Sequence, residues 1–303
     1  YYHYTGDLHF MELYGAEMLL EICRFWVSAC RYNNDDNRYH IDRVMGPDEF
    51  HEKLPGSNEG GLTDNAYTNL LVHWLLDKGI RLADLLTPEI RKKVFEKTGM
   101  TQDELSSWDE IKNKLNINIS KEGIIEQFSG YFNLKEIDLE SYREKYGNIH
   151  RMDRILKAEG KSPDDYKIAK QADLLMAFYL LGEEEVTAIL TRMGYQVPGD
   201  YLYRNYQYYL QRTSHGSTLS RLVHSTIAFH LGLKKEGWPM FMETLKSDLE
   251  DIQGGTTGEG IHCGVMGGTI NTVLTVFGGL KLGKEQINIC LLYTSDAADE
   301  LDG

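Results

Sequence analysis

One segment of the sequence combines the residue types that general-acid catalysis requires. Residues 44–52, VMGPDEFHE, place three carboxylates and a histidine beside a Gly-Pro turn. Glycine and proline fix the direction of the backbone, so such a turn can aim one carboxyl group into a cavity. Met45 and Phe50 would supply apolar surroundings, which raise the pKa of a carboxyl group and keep it protonated. An exposed, charged surface loop is the alternative interpretation.

The same segment begins like a zinc-binding helix, because His51 is followed by Glu52. Pro55 stands where the second histidine of that motif would be, which excludes a metalloprotease of this type. We therefore predict no metal at this segment.

Two loops rich in glycine and hydroxyl residues favour an anion site. They are RTSHGSTLS at residues 212–220 and QGGTTGEGIH at residues 253–262, and each leads into an apolar helical pattern. The first turn of a helix offers free N–H groups and a positive dipole end, which suit an oxyanion. An ordinary N-terminal cap is the alternative for each loop taken alone. Neither loop matches a Walker motif or the GxGxxG fingerprint.

A Lys-Gln pair, Lys170 and Gln171, stands at the head of another apolar helical pattern. Lysine is almost never fully buried without a partner, so its position before a buried helix is unusual. A lysine and an amide together can bind sugar hydroxyl groups. The alternative is a solvated first turn in which the lysine pairs with Asp173.

Helices must position these segments, because apolar residues recur mostly with helical spacing. The predicted helices are Leu8–Arg31, Ala66–Leu76, Pro88–Thr98, Leu139–Tyr146, Tyr166–Leu181, Glu183–Met193, Tyr201–Arg212, Thr218–Leu231, Trp238–Leu249 and Met266–Leu280. Only short stretches such as residues 39–44 alternate like a strand, so we expect an all-α protein with functional loops at helix ends.

Three other stretches depart from this pattern. The long loop at 32–62 indicates either a functional role or disorder. The polar segment 100–165 is interpreted as a solvated insertion, although Gln127, Phe128 and Tyr131 could face a pocket. Residues 290–303 resemble translated sequencing adapter, so we expect a catalytic domain over 1–289 followed by a non-native tail.

Composition limits the classes of function. The 303 residues carry a formal net charge of -14, which argues against a nucleic-acid partner. No apolar run reaches 18 residues, so we expect no membrane span. The four cysteines are too scattered for a disulfide framework, which favours reduced thiols and a cytoplasmic location.

Five motifs in a fixed order carry a family resemblance. They are VMGPDEFHE at 44–52, DNAYTN at 64–69, KQAD at 170–173, RTSHGSTLS at 212–220 and DIQGGTTGEGIH at 251–262. Together they resemble glycoside hydrolase family 65, which includes inverting phosphorylases of maltose, trehalose, kojibiose and related α-glucosides. The resemblance implies an (α/α)6 barrel, here incomplete at its N-terminal side because the family's upstream Trp-Asp motif is missing. Homodimers would be in keeping with the family.

The resemblance also implies roles for individual residues. Glu49 matches the general acid, and Lys170 and Gln171 match the pair that contacts the glucosyl unit. The phosphate-binding region corresponds to His215, Gly216, Ser217, Thr218, Thr256 and His262. The implied reaction converts an α-linked glucose disaccharide and inorganic phosphate, a co-substrate, into β-glucose 1-phosphate and glucose or another acceptor, without metal or cofactor.

Departures from the family pattern bear on the substrate. The stretch KLPGSNEGGLT after the acid motif is longer than in typical maltose phosphorylases, which also tend to have Asn in place of Asp48, so maltose is disfavoured. Two other functions stay open. In an inverting hydrolase resembling acid trehalase, a carboxylate such as Glu259 would activate water; in a non-catalytic carbohydrate-binding protein, Glu49 would be dispensable.

Overall fold

The computed structural model describes residues 1–252, 257–282 and 287–289, and these are mainly helical. The helices are α1 (Tyr2–Thr5), α2 (Leu8–Phe10), α3 (Ala16–Ala29), α4 (Ala66–Leu85), α5 (Pro88–Thr98), α6 (Gln102–Asn113), α7 (Leu139–Tyr146), α8 (Met152–Ala158), α9 (Asp173–Leu181), α10 (Glu183–Arg192), α11 (Tyr201–Leu210), α12 (Thr218–His230), α13 (Lys234–Lys246) and α14 (Cys263–Thr272). A π-helical turn joins α2 to α3, and a second one follows α14. The predicted tail at 290–303 lies outside the described residues.

The strands form two small antiparallel hairpins. They are β1 (Cys30–Asn33) with β2 (Arg38–Ile41), and β3 (Leu280–Leu282) with β4 (Ile287–Ile289). The first hairpin occupies part of the long loop predicted at 32–62. Two backbone hydrogen bonds between Val44 and Leu62, of 3.1 and 2.7 Å, close the rest of that loop. The loop is therefore ordered.

Local capping explains why several helices begin and end as the sequence predicts. Thr87 accepts a hydrogen bond from the Ile90 N–H, and Pro88 occupies the first helical position. Gly99 ends this helix in the left-handed conformation, with φ of 65°. The prediction for residues 88–98 is therefore confirmed at both ends, whereas α4 runs nine residues beyond its predicted end at Leu76.

Most of the helices pack around one main core. Helix α4 packs against α3 and α9, α9 packs against α12, and α12 packs against α14. Helices α6, α10, α11 and α13 each pack against one or two members of this row. No helix in the described parts of the chain is long and apolar enough to cross a bilayer.

The interpretation of residues 100–165 as a solvated insertion is wrong. Helix α6 buries Leu105 and Trp108 in the main core, and Phe128 and Tyr131 are also buried there. Charged residues cover the outer face of α6, and in the sequence they obscure the narrow apolar face that packs inward.

Residues 135–168, called the cap below, form a second core of their own. Its buried members are Leu139, Ile149, Met152, Leu156 and Ile168, together with Phe50 from the acid motif. The cap is thus packed directly against the residue that follows Glu49.

Candidate active site

Residues 44–52, called the acid loop below, are fixed to the segment that precedes α9. The Lys170 N–H donates to Asp48 Oδ1 at 2.6 Å. The side-chain amide of Gln171 donates to the carbonyl oxygen of Pro47. The structure therefore brings the predicted acid and the predicted sugar-binding pair together, although they are 121 residues apart in sequence.

Glu49 lies at the exposed tip of the acid loop. Its backbone has a left-handed φ of 63°, and its side chain is 63% exposed. Glu49 Oε2 accepts a hydrogen bond of 2.7 Å from Lys170 Nζ. The left-handed turn aims this carboxyl group away from the loop, while its neighbours Asp48 and Phe50 are buried. Glu49 and Glu52 are thus the exposed carboxylates of the loop, and Glu49 is the one that Lys170 Nζ contacts.

A buried ion pair lies beneath this tip. His51 Nδ1 is 2.7 Å from Asp48 Oδ2, and both residues are 2% exposed. Burial alone would lower the pKa of His51, but the bond to the Asp48 carboxylate overcomes it and the pKa is raised. The rings of Phe128 and Tyr131 stand 5.0 and 5.8 Å from the imidazole, centre to centre.

Asp173 closes the base of the loop. Its Oδ2 accepts a hydrogen bond of 2.8 Å from Asn65 Nδ2, and the side chain is buried. Burial, followed by the charge of Asp48, raises the pKa of Asp173 well above its usual range. A Cβ atom on Gly46 would stand 1.7 Å from Asp173 Oδ2, so this position accepts only glycine. The alternative in which Lys170 pairs with Asp173 on a solvated turn is wrong.

The loop at 212–220, called the first anion loop below, lies against the other side of Lys170. The Gly216 N–H donates to the carbonyl oxygen of Lys170 at 3.0 Å. Ser217 caps α12 by accepting from the Leu219 N–H at 3.2 Å, and Thr218 is the first residue of that helix. The N-cap residue of α12 therefore directly follows the residue that contacts Lys170.

His215 is a neutral member of this loop. Its backbone is left-handed, with φ of 55°, and its Nδ1 is 2.9 Å from Ser220 Oγ. Burial, and then the charges near it on His224 and Arg221, holds the pKa of His215 well below its usual range. His215 can thus give or accept a hydrogen bond but does not supply a positive charge.

Two residues that the sequence did not single out support the first anion loop. The Arg221 guanidinium pairs with Glu243, donates to the His215 carbonyl oxygen at 3.3 Å, and donates to His150 Nε2 at 2.8 Å. The His150 carbonyl oxygen leaves room only for a hydrogen atom on Gly216, where a Cβ would come within 2.2 Å. Burial, and then the charge of Arg221, lowers the pKa of His150 to about 4.

Sequence offers one signal for Arg221 and none for His150. A positive side chain in the first turn of a helix opposes the helix dipole, so Arg221 at that position in α12 points to a special role. His150 lies on the cap, and only the three-dimensional packing brings it to Gly216.

The second predicted anion loop is described only in part. Thr256 lies outside the described residues. His262 binds Asp248 twice, through its backbone N–H at 2.8 Å and its Nδ1 at 2.6 Å. Gly264, two residues further along, faces Leu219, which a Cβ atom on Gly264 would meet at 3.7 Å. The starts of α12 and α14 are thus neighbours, but the described contacts of His262 are to Asp248 and not to the first anion loop.

Comparison with known proteins identifies the family of the chain. The family model for the glycosyl hydrolase family 65 central catalytic domain matches residues 1–271. The chain is 45% identical over 285 residues to trehalose 6-phosphate phosphorylase of Lactococcus lactis subsp. lactis (strain IL1403), covering 94% of this chain and 35% of that protein. It is 35% identical over 291 residues to kojibiose phosphorylase of Thermoanaerobacter brockii, covering 94% and 34%.

A solved structure from the human microbiome, provisionally assigned as a kojibiose phosphorylase, superposes with a TM-score of 0.75 at 28% identity. The match covers 96% of this chain and 39% of the other. The chain therefore belongs to glycoside hydrolase family 65, and the expected (α/α)6 barrel class is confirmed. The chain spans about a third of the length of these curated relatives.

Proposed function

We propose that the protein containing this chain catalyses phosphorolysis of an α-linked glucose disaccharide, with inversion, to β-glucose 1-phosphate and an acceptor sugar. The observation that carries the proposal is the double role of Lys170. Its side chain holds Glu49 at 2.7 Å, and its backbone carbonyl oxygen binds Gly216 of the first anion loop at 3.0 Å. A proton donor and a helix start suited to phosphate thus share one residue.

The chemistry follows from these positions. Glu49 gives its proton to the glycosidic oxygen as the bond from that oxygen to C1 breaks. Phosphate, held by Ser217 and Thr218 at the start of α12, next to Gly216, forms the new bond to C1 from the opposite face. Phosphate is already anionic and needs no general base, only positioning and partial neutralisation. Lys170 and Gln171 bind hydroxyl groups of the glucosyl unit.

Within this class we propose a disaccharide whose acceptor sugar carries a phosphoryl group. The relative at 45% identity is named for trehalose 6-phosphate. Arg151 of the cap supports the assignment. Two hydrogen bonds to Asp153, of 3.0 and 2.7 Å, hold its guanidinium. That contact, and more weakly the charge of Glu49, raises the pKa of Arg151, so this guanidinium of the cap lies near enough to interact with the Glu49 side chain.

The test uses the full-length protein encoded by the open reading frame that contains this chain. Trehalose, trehalose 6-phosphate, kojibiose and maltose are each incubated with and without inorganic phosphate, and released sugars are measured by chromatography. We expect turnover only with phosphate, highest for trehalose 6-phosphate, and the β anomer of glucose 1-phosphate by NMR. Equal sugar release without phosphate would establish a hydrolase instead.

A matched variant tests the acid. Glu49→Gln keeps the shape of the side chain but cannot donate a proton, so we expect kcat to fall about 10² to 10⁴-fold. Glu52→Gln is the control, because Glu52 is another exposed carboxylate of the same loop, and this variant should keep wild-type turnover. A Glu49→Gln enzyme within about tenfold of wild type would remove Glu49 from the mechanism.

A further inference from the structure

His51 has hydrogen-bond partners at both ring nitrogens. Nδ1 lies 2.7 Å from Asp48 Oδ2, and Nε2 lies 2.9 Å from the carbonyl oxygen of Tyr166. A carbonyl oxygen only accepts, so Nε2 must carry a proton. An ionised Asp48 also accepts, which requires a second proton on Nδ1. The ring is then an imidazolium, held in a pocket that Phe128 and Tyr131 close to water.

The neighbouring charges agree with this state. Asp48 Oδ1 accepts from the Lys170 N–H at 2.6 Å and Oδ2 lies 2.7 Å from His51 Nδ1, so both carboxyl oxygens have a hydrogen-bond partner. Burial, and then the charge of Asp48, holds the pKa of Asp173, on the other side of Asp48, well above its usual range. Asp164 adds a more distant negative charge facing His51. The Asp48 carboxyl group is thus the acidic group in direct contact with the His51 ring.

The pair is connected to the proton donor by two routes. Glu49 follows Asp48 directly and depends on the loop for its left-handed backbone, with φ of 63°. Lys170, whose N–H is bound by Asp48, also holds Glu49 through Nζ at 2.7 Å. A shift of the Asp48 side chain would displace both the backbone of the acid and its lysine partner.

We propose that His51, as a buried imidazolium, is a positioning residue that holds the Glu49 carboxyl group in line with the glycosidic oxygen. The inference rests on the proposed function, in which Glu49 is the proton donor. His51 touches no reacting atom. It acts through Asp48, and its loss should impair proton donation while leaving the phosphate and sugar contacts in place.

The leaving group distinguishes a positioning role from a structural one. A disaccharide needs a proton on its departing oxygen, whereas fluoride leaves α-glucosyl fluoride with little help from an acid. With phosphate, that substrate loses fluoride from C1 and gains a bond from C1 to a phosphate oxygen. A misplaced acid therefore lowers the turnover of the disaccharide and leaves the turnover of α-glucosyl fluoride nearly unchanged.

The experiment uses the full-length protein with His51→Asn, His51→Gln and, as a control, His9→Asn, since His9 is exposed. We expect the His51 variants to lose about 10²-fold in kcat on the disaccharide, with KM for disaccharide and phosphate nearly unchanged, and to keep most of their turnover of α-glucosyl fluoride. Equal losses on both substrates, or no loss on either, would overturn the proposal.

Two further measurements complete the test. Glu49→Gln is assayed in parallel. If this variant also loses its turnover of α-glucosyl fluoride, Glu49 is not the proton donor and the proposed function fails. If Glu49→Gln keeps that turnover and the His51 variants lose it, only the role of His51 fails. Side-chain ¹⁵N NMR of His51 in the wild-type chain at pH 7.5 requires no variant. Two protonated ring nitrogens are expected, and a neutral ring would overturn the proposal.

Discussion

Gly46→Ala offers a direct test of how tightly the acid loop is fixed. The added Cβ would stand 1.7 Å from Asp173 Oδ2 and 2.5 Å from Asn65 Nδ2, whereas ordinary contacts begin near 3.4 Å. Either the loop or Asp173 must therefore move by about 1.7 Å. Overpacking of this kind costs about 1–3 kcal/mol, and breaking the buried bond between Asn65 and Asp173 costs about 1–3 kcal/mol more.

Activity should suffer more than stability, because a displacement of about 1 Å at a catalytic group can lower turnover about 10²-fold. Urea unfolding gives the free energy of unfolding, and phosphate-dependent sugar release gives kcat. Gly60→Ala is the matched control, since it lies two residues before Leu62 in the same loop region and its Cβ would meet nothing within 4 Å. Wild-type stability and turnover in Gly46→Ala would refute the close contact with Asp173.

Two other predictions concern stability. Asp64→Ala should lower the free energy of unfolding by about 3–5 kcal/mol in urea titrations, because four groups would lose the carboxylate they bind: His40, the Ile41 N–H, Asn69 and Asn116. Asp35→Ala, at an exposed position, is the control and should change this free energy little. Burial lowers the pKa of His73 to about 4, so unfolding binds a proton, and the free energy of unfolding should fall by roughly 3 kcal/mol from pH 6.5 toward pH 4. His73→Gln should remove this loss, and an unchanged pH dependence in that variant would contradict the prediction.

Local chemistry accounts for what the sequence predicts well. The helix at 88–98 is predicted to the residue because its cap, its proline and its terminal glycine are all within the segment itself. The acid loop is predicted for a similar reason, since Gly46 and Pro47 fix a turn wherever the chain folds. Its burial partners are another matter, because Asp173 and Tyr166 are more than 100 residues away.

The cap shows why the remaining parts escape prediction. Its helix α7 is predicted to the residue, at Leu139–Tyr146. Helix α8 is missed, because its seven residues are too few for a periodic pattern to stand out among their charges. What makes the cap part of the site is its packing on Phe50 and the bond from Arg221 to His150, which joins residues 71 apart. Neither contact can be predicted from the composition of the local sequence.

The left-handed backbone at Glu49, Asp64 and His215 has a consequence for laboratory evolution. Each of these residues is held in a conformation that costs roughly 1–2 kcal/mol for a side chain other than glycine. A library selected only for heat resistance should therefore drift toward glycine or asparagine at 49 and 215, and the same library selected for growth on the sugar should reject those changes. The disagreement between the two selections would mark the site without any ligand.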